Sequence, residues 1–203
     1  MEQFEGDSSN YEIITRAIEA IPAHKEGLTC EIGLRRGYGS KVIMDALAKR
    51  VSPERTHVAI DPYGNIEYAP SEGVITRLDY TNTMRDETIG LCYKYAGALG
   101  VNFIFMNLTD EQFFNRYKDG VPIYKESEYI LNKYIFAHLD GPHHLNLLIN
   151  EFNWFNDRMY SGATLVIDDI DYFDIDALHN VIGATRKWHL LDYSRKKIAY
   201  QKN

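Results

Sequence analysis

Only two cysteines occur in the 203 residues, Cys30 and Cys92, too few for a disulfide framework. Cys30 lies in an apolar run and reads as a small core residue, and the expected compartment is a reducing cytoplasm. A basic excess is also missing. Against 29 Asp and Glu stand 22 Lys and Arg, a net charge of −7. That excludes a surface built for broad contact with nucleic acid or anionic membrane. No apolar run approaches the roughly 20 residues of a membrane span. The opening segment, MEQFEGDSSNYEII, has no charged-then-apolar signal pattern. No repeat or low-complexity block stands out.

What is present is ordinary globular chemistry, 45% hydrophobic and 25% charged, at a length that suits one domain over residues 1–203. Residues 1–27 form a helical lead-in. Asn10 is placed to cap a helix from Tyr11 to Ile21, with Ile13, Ile14, Ala17 and Ile18 at helical spacing. Thr29 to Gly33 reads as a buried strand running into a glycine-bearing turn. Ser40 then caps a helix from Lys41 to Arg50, and His57 to Asp61 is a second strand. The unit has the size of a parallel β–α–β crossover. Further strands are expected at Val101–Met106, Tyr134–Leu139 and Ala163–Ile167, with a terminal hairpin at Trp188–Tyr193 and Lys197–Gln201. Helices are expected at Thr81–Gly100, Asp110–Tyr117, His144–Tyr160 and about Ile175–Arg186, with Ser161-Gly162 stopping the third of these. Strands alternating with helices give a three-layer α/β sandwich. Most of the fifteen tyrosines read as core.

The chemistry gathers at strand ends. In an open parallel sheet, ligands bind beyond the carboxyl ends of the strands. Three strands end in acids, at Asp61, Asp140 and Asp168-Asp169, and the first ends in the glycine turn. The turn, from Glu31 to Ser40 with glycines at 33, 37 and 39, is neither the dinucleotide fingerprint nor a P-loop. Its glycines allow backbone to approach a ligand. An acid at position 61 can accept hydrogen bonds from both hydroxyls of a ribose, and together these features suggest an adenosine-containing cofactor. Asp140, Asp168 and Asp169 can supply oxygens to one hard cation, Mg²⁺, Mn²⁺ or Ca²⁺; the alternative is that an Asp here caps or solvates a loop. His143, three residues past Asp140, suits a general base, or else simply stands near the start of a helix. Two segments break the α/β rhythm, Pro62–Tyr80 and Asp119–Lys133. Both are expected to border an acceptor pocket, with Tyr63, Tyr124 and Tyr129 as contacts.

The runs Glu31-x-Gly33-x-x-x-Gly37-x-Gly39-Ser40, Ala59-Ile60-Asp61, Leu139-Asp140-Gly141-x-His143 and Gly162-Ala163-Thr164-Leu165-Val166-Ile167-Asp168-Asp169 resemble class I S-adenosylmethionine (SAM)-dependent methyltransferases. More narrowly, they resemble the metal-dependent branch of macrocin-type O-methyltransferases and cephalosporin-hydroxylase-like proteins. The resemblance spans about residues 28 to 201. It implies a Rossmann-like seven-stranded sheet of order 3-2-1-4-5-7-6 with strand 7 antiparallel. It also implies a SAM site at Glu31, Gly33, Gly37, Ser40, Asp61 and Asp140, Mg²⁺ on Asp140, Asp168 and Asp169, and His143 as base beside Asp140. Arg35 and Arg36 make the turn more basic than the family pattern, and Ser161-Gly162 stands where Gly-Gly is usual. The activity implied is O-methylation of a small hydroxylated acceptor such as a sugar, by a protein that binds neither nucleic acid nor membrane and can form homo-oligomers. Alternatives are a hydrolase or hydroxylase using the same carboxylates, and a SAM- or nucleotide-binding module without catalysis.

Overall fold

The computed structural model describes residues 3–6, 8–65, 80–141 and 143–203. Pro142 and most of the expected 62–80 insertion therefore lie outside the described residues. Five parallel strands carry the fold: β1 (Leu28–Ile32), β2 (Thr56–Ile60), β3 (Asn102–Met106), β6 (Tyr134–Leu139) and β7 (Met159–Ile167). A hairpin of β8 (Trp188–Tyr193) and β9 (Ile198–Lys202) completes the sheet, with β9 antiparallel to β7. The order is β3-β2-β1-β6-β7-β9-β8. A separate two-stranded hairpin, β4 (Val121–Tyr124) and β5 (Glu128–Leu131), is inserted before β6. Leaving those two out of the numbering, the sheet order is the expected 3-2-1-4-5-7-6. No helix of the described residues is long and apolar enough to cross a membrane.

Both faces of the sheet are covered, so successive residues of a strand enter different cores. Cys30 and Ile32, Val58 and Ile60, and Leu165 and Ile167 join one apolar cluster with Phe113, Phe152, Phe155 and Leu178. These come from α4 (Asp110–Arg116), α5 (Leu145–Arg158) and α6 (Ile175–Ala184). Ala59, Phe136, Val166 and Ala199 join the other cluster, with residues of α1 (Glu12–Glu19), α2 (Tyr38–Lys49) and α3 (Asn82–Leu99). α1 buries Ile13, Ile14, Ala17 and Ile18, the stripe expected of it.

Several boundaries differ from expectation for identifiable reasons. Asn10 does not cap α1: Tyr11 occupies that position without a side-chain cap, and Asn10 takes a φ of 60°. Ser40 does not cap α2. The helix begins three residues earlier, capped from Gly37, and the Ser40 side chain turns into the core. α5 ends at Arg158, and Ser161 and Gly162 lie inside β7, where a register shift absorbs them. The segment 119–133 is the β4–β5 hairpin rather than an irregular loop. It also sits at the wrong end of the sheet for an acceptor pocket. Tyr129 donates to Glu54 Oε2 (2.7 Å) and Lys125 to Glu54 Oε1 (3.2 Å), and Glu54 precedes β2. Tyr124 is exposed and donates within the hairpin, to Glu128. The hairpin thus lines a groove of about 560 Å³ with Gly27, Asn132, Lys133 and Tyr160, all beside the amino ends of strands.

Candidate active site

The parallel ladder continues one residue past each strand and sets the rim in a row. Asp61 N–H donates to Met106 O (3.2 Å), Gly33 N–H to Ile60 O (2.9 Å), Asp140 N–H to Ile32 O (2.9 Å) and Asp168 N–H to Leu139 O (3.0 Å). Asp61, Gly33, Asp140 and Asp168 are therefore neighbours on adjacent strands. Between β1 and β6 the chain's crossovers reverse direction, which opens the crevice where such sheets bind ligands.

Gly33 (φ 91°) and Gly37 (φ 78°) take backbone conformations that favour glycine. Gly33 lies against Asp140. The Cβ position of Gly37 instead faces Cys92, Thr88 and Phe4, so Gly37 serves the packing of the turn on α3 and the lead-in. Asp61 ties the turn down: its Oδ2 accepts from the backbone N–H of Leu34 and of Arg35, each at 2.9 Å. Its Oδ1 is buried and has no hydrogen-bond partner among the described residues, an acceptor left open there beside the turn. Burial pushes the Asp61 carboxyl up to about 7 against those two donors. Tyr63, expected at an acceptor pocket, is buried and donates its hydroxyl to Arg35 O.

Because the raised value exceeds the ordinary one of 3.8, Asp61 supports the ligand-free fold most at low pH, and that support is lost as pH rises from about 4 to about 7. Asp61→Asn carries no such charge. Urea melts without ligand should show the variant gaining on the parent by about 2–4 kcal/mol across that window. A stability difference that stays constant from pH 4 to 7 would refute the titration.

Glu31 and Ser40, expected at the cofactor, lie in a buried polar chain beneath the turn. Alternation along β1 turns Thr29 and Glu31 away from the Cys30 side, and register sets Thr29 beside His57 and Glu31 beside His138. Ser40 Oγ donates to Glu31 Oε2 and lies 2.8 Å from His57 Nε2. His57 Nδ1 lies 3.0 Å from Thr29 Oγ1, and His138 Nδ1 lies 2.9 Å from Glu31 Oε1. Burial lowers His57 to about 4, so it stays neutral and works as a hydrogen-bonding strut. A Cβ on Gly39 would meet Glu31 Oε1 at 2.0 Å, which explains the third glycine of the turn as a packing requirement.

The acids at the other end of the rim do not converge on one point. Among the described residues, Asp140 clusters with His138 and Asp168, and separately with His143 and Asp169. Asp168 is buried and its oxygens are engaged. Oδ1 accepts from Ser8 Oγ (2.9 Å) and Asp169 N–H (2.7 Å), Oδ2 pairs with Lys197 Nζ, and His138 Nε2 lies 3.6 Å from Oδ2. Burial alone would raise the Asp168 carboxyl; His138 and Lys197 overcome this and hold it below the usual range. Asp169 is half-buried, with Oδ2 at 3.2 Å from His143 Nε2 and Oδ1 at 3.5 Å from Lys196 Nζ. Of the three expected cation ligands, Asp168 and Asp169 already pair with ammonium groups, which compete with any cation shared by all three.

His143 stands where the sequence puts it. Its ring stacks on Tyr172 (centroids 4.8 Å apart, planes at 9°) and Asp169 holds one nitrogen. His144, the next residue, occupies the N-cap of α5 with extended backbone. The lead-in also reaches the rim: Glu5 bridges to Gly37, Ser8 meets Asp168, and Lys197 Nζ lies 4.4 Å from the Tyr11 ring centroid. Sequence reasoning missed Ser8, His138, Lys196 and Lys197. Only the strand register could have found the lysines, since Lys196 reads as part of a hairpin turn and Lys197 as the first residue of a strand.

No family model matches the chain, and no curated protein matches it in sequence. Solved structures do match in fold. The calicheamicin methyltransferase CalS11 superposes with a TM-score of 0.64 at 11% identity, over 94% of this chain and 76% of that one. The O-methyltransferase NovP gives 0.59 at 15% identity, over 95% and 79%. The O-methyltransferase TomG from Streptomyces achromogenes, solved in complex with SAM, gives 0.53 at 10% identity, over 98% and 82%. The fold is thus the Rossmann-like one of these methyltransferases.

Proposed function

We propose that the chain is a SAM-dependent O-methyltransferase acting on a small hydroxylated acceptor, with a sugar as the first class to test. The observation that carries the reading is the rim itself. A glycine turn and a buried carboxylate with one open oxygen stand on one side of Asp140, and a held imidazole stands on the other. SAM, when bound, supplies an activated methyl group. The residues that would hold it are the backbone around Gly33, Asp61, whose carboxylate would accept from the ribose hydroxyls, and Asp140; Glu31, Ser40 and Gly37 support the turn from within. CalS11 and NovP, as methyltransferases of this fold, and TomG with SAM, support the choice of donor.

His143 takes the acceptor's proton. Its Nε2 faces Asp169, so Nε2 carries the hydrogen and Nδ1 is the nitrogen left to accept one. Tyr172 fixes the ring plane. Most of the acceleration then comes from holding the acceptor oxygen in line with the methyl group. The reading takes no step through Mg²⁺, since Lys197 and Lys196 pair with two of the three expected ligands, Asp168 and Asp169.

Calorimetric titration with SAM and S-adenosylhomocysteine (SAH), followed by a methyl-donor assay over sugars, catechols and glycosides, tests this directly. Saturable binding and methylated product are expected. Failure of the native protein to bind either nucleoside would sink the proposal.

A further inference from the structure

Two consecutive acids at the end of β7 meet two consecutive lysines at the start of β9. The antiparallel register pairs Val166 with Ala199 and Ile167 with Ile198. Continued past the strands, it sets Asp168 opposite Lys197 and Asp169 opposite Lys196. Ile170 N–H donates to Lys196 O at 3.1 Å, which keeps the two segments together beyond the sheet. Each lysine reaches the acid it faces: Lys197 pairs with Asp168, and Lys196 lies 3.5 Å from Asp169 and 2.8 Å from Asp171.

Lys197 is completely buried. Its Nζ also donates to Ser8 Oγ at 2.9 Å and sits over the Tyr11 ring. A buried ammonium with a carboxylate, a hydroxyl and a ring face around it is a built position rather than a stray surface pair. The opposite charges lie in a closed environment, where removing one leaves the other uncompensated.

We infer that Lys197, with Lys196 beside it, takes the place of a divalent cation at this acidic rim, so that methyl transfer runs without a metal. Lys197 neutralises Asp168 and thereby lets three aspartates stand close together. Lys196 does the same for Asp169 while leaving its other oxygen to orient His143. Both lysines are positioning residues that act through Asp168 and Asp169. The inference rests on the methyltransferase reading of the same rim.

The test is a Mn²⁺ titration followed by electron paramagnetic resonance, on the full chain with and without SAH, with SAH calorimetry on the same samples. Native protein should bind SAH yet show no one-to-one Mn²⁺ site up to about 1 mM, the weak end of hard-cation sites. Lys197→Met should release Asp168 and create a Mn²⁺ site at least about tenfold tighter than any in the parent, and Mg²⁺ should compete for it. Native one-to-one Mn²⁺ binding that Mg²⁺ displaces would overturn the inference, and needs no variant to fold. A folded Lys197→Met chain without gain in Mn²⁺ affinity would overturn it as well. Absence of SAH binding by the native protein would remove the methyltransferase reading instead, which separates the two failures.

Discussion

His143→Ala should lower methyl-transfer turnover about 10²–10⁴-fold, the usual contribution of a positioned general base, while SAH affinity stays within about threefold. The size follows from how the ring is held. Stacking on Tyr172 and the 3.2 Å contact with Asp169 fix plane and tautomer together, so no substitute side chain would present a nitrogen at the same place. Asp169→Asn should lose less, because the ring remains stacked but its tautomer is no longer dictated. Added imidazole should restore part of the turnover of His143→Ala and none of that of Asp169→Asn, a distinction a purely structural defect would not make. His144→Ala should change turnover by less than about threefold, since His144 serves α5 through its backbone, its carbonyl accepting from Leu148 N–H at 3.0 Å. The assignment is wrong if His144→Ala carries the loss and His143→Ala does not.

Gly33→Ala should be the most damaging single-methyl change in the chain. The new Cβ would lie 1.9 Å from Asp140 O and 2.7 Å from its carbonyl carbon. Both are main-chain atoms of the neighbouring strand's exit, which cannot turn aside as a side chain could. The φ of 91° adds strain for any residue with a Cβ. Left-handed strain of about 1–3 kcal/mol and overpacking of about 1–3 kcal/mol together suggest a loss of about 2–6 kcal/mol. Relief requires β1 and β6 to part at the crevice, so SAH binding should fall with stability by at least about 100-fold. Gly183→Ala is the control: it lies in α6, and nothing stands within 4 Å of its added Cβ. It should stabilise by about 0.5–1 kcal/mol, as expected in a helix interior. Denaturation and calorimetry on both variants check the contrast. Equal effects would show that the close approach of Gly33 to Asp140 is not what the rim depends on.

Much of this was readable in the sequence because two rules act locally. Short buried runs locate β1, β2 and β6, and helical spacing locates α1, since apolar side chains must be buried whatever their partner. Parallel topology then sends Asp61, Gly33, Asp140 and Asp168 to one rim without any knowledge of contacts. Tertiary structure decided the rest. Whether Ser40 caps a helix or bonds Glu31 depends on which side of β1 faces α2. Whether residues 119–133 line a pocket depends on the end of the sheet at which Tyr129 finds Glu54. Whether Asp168 is offered to a cation or to Lys197 depends on a register between strands about thirty residues apart in the chain. A charge's partner is chosen by distance in space, and local sequence patterns carry residue types and spacing but not that distance.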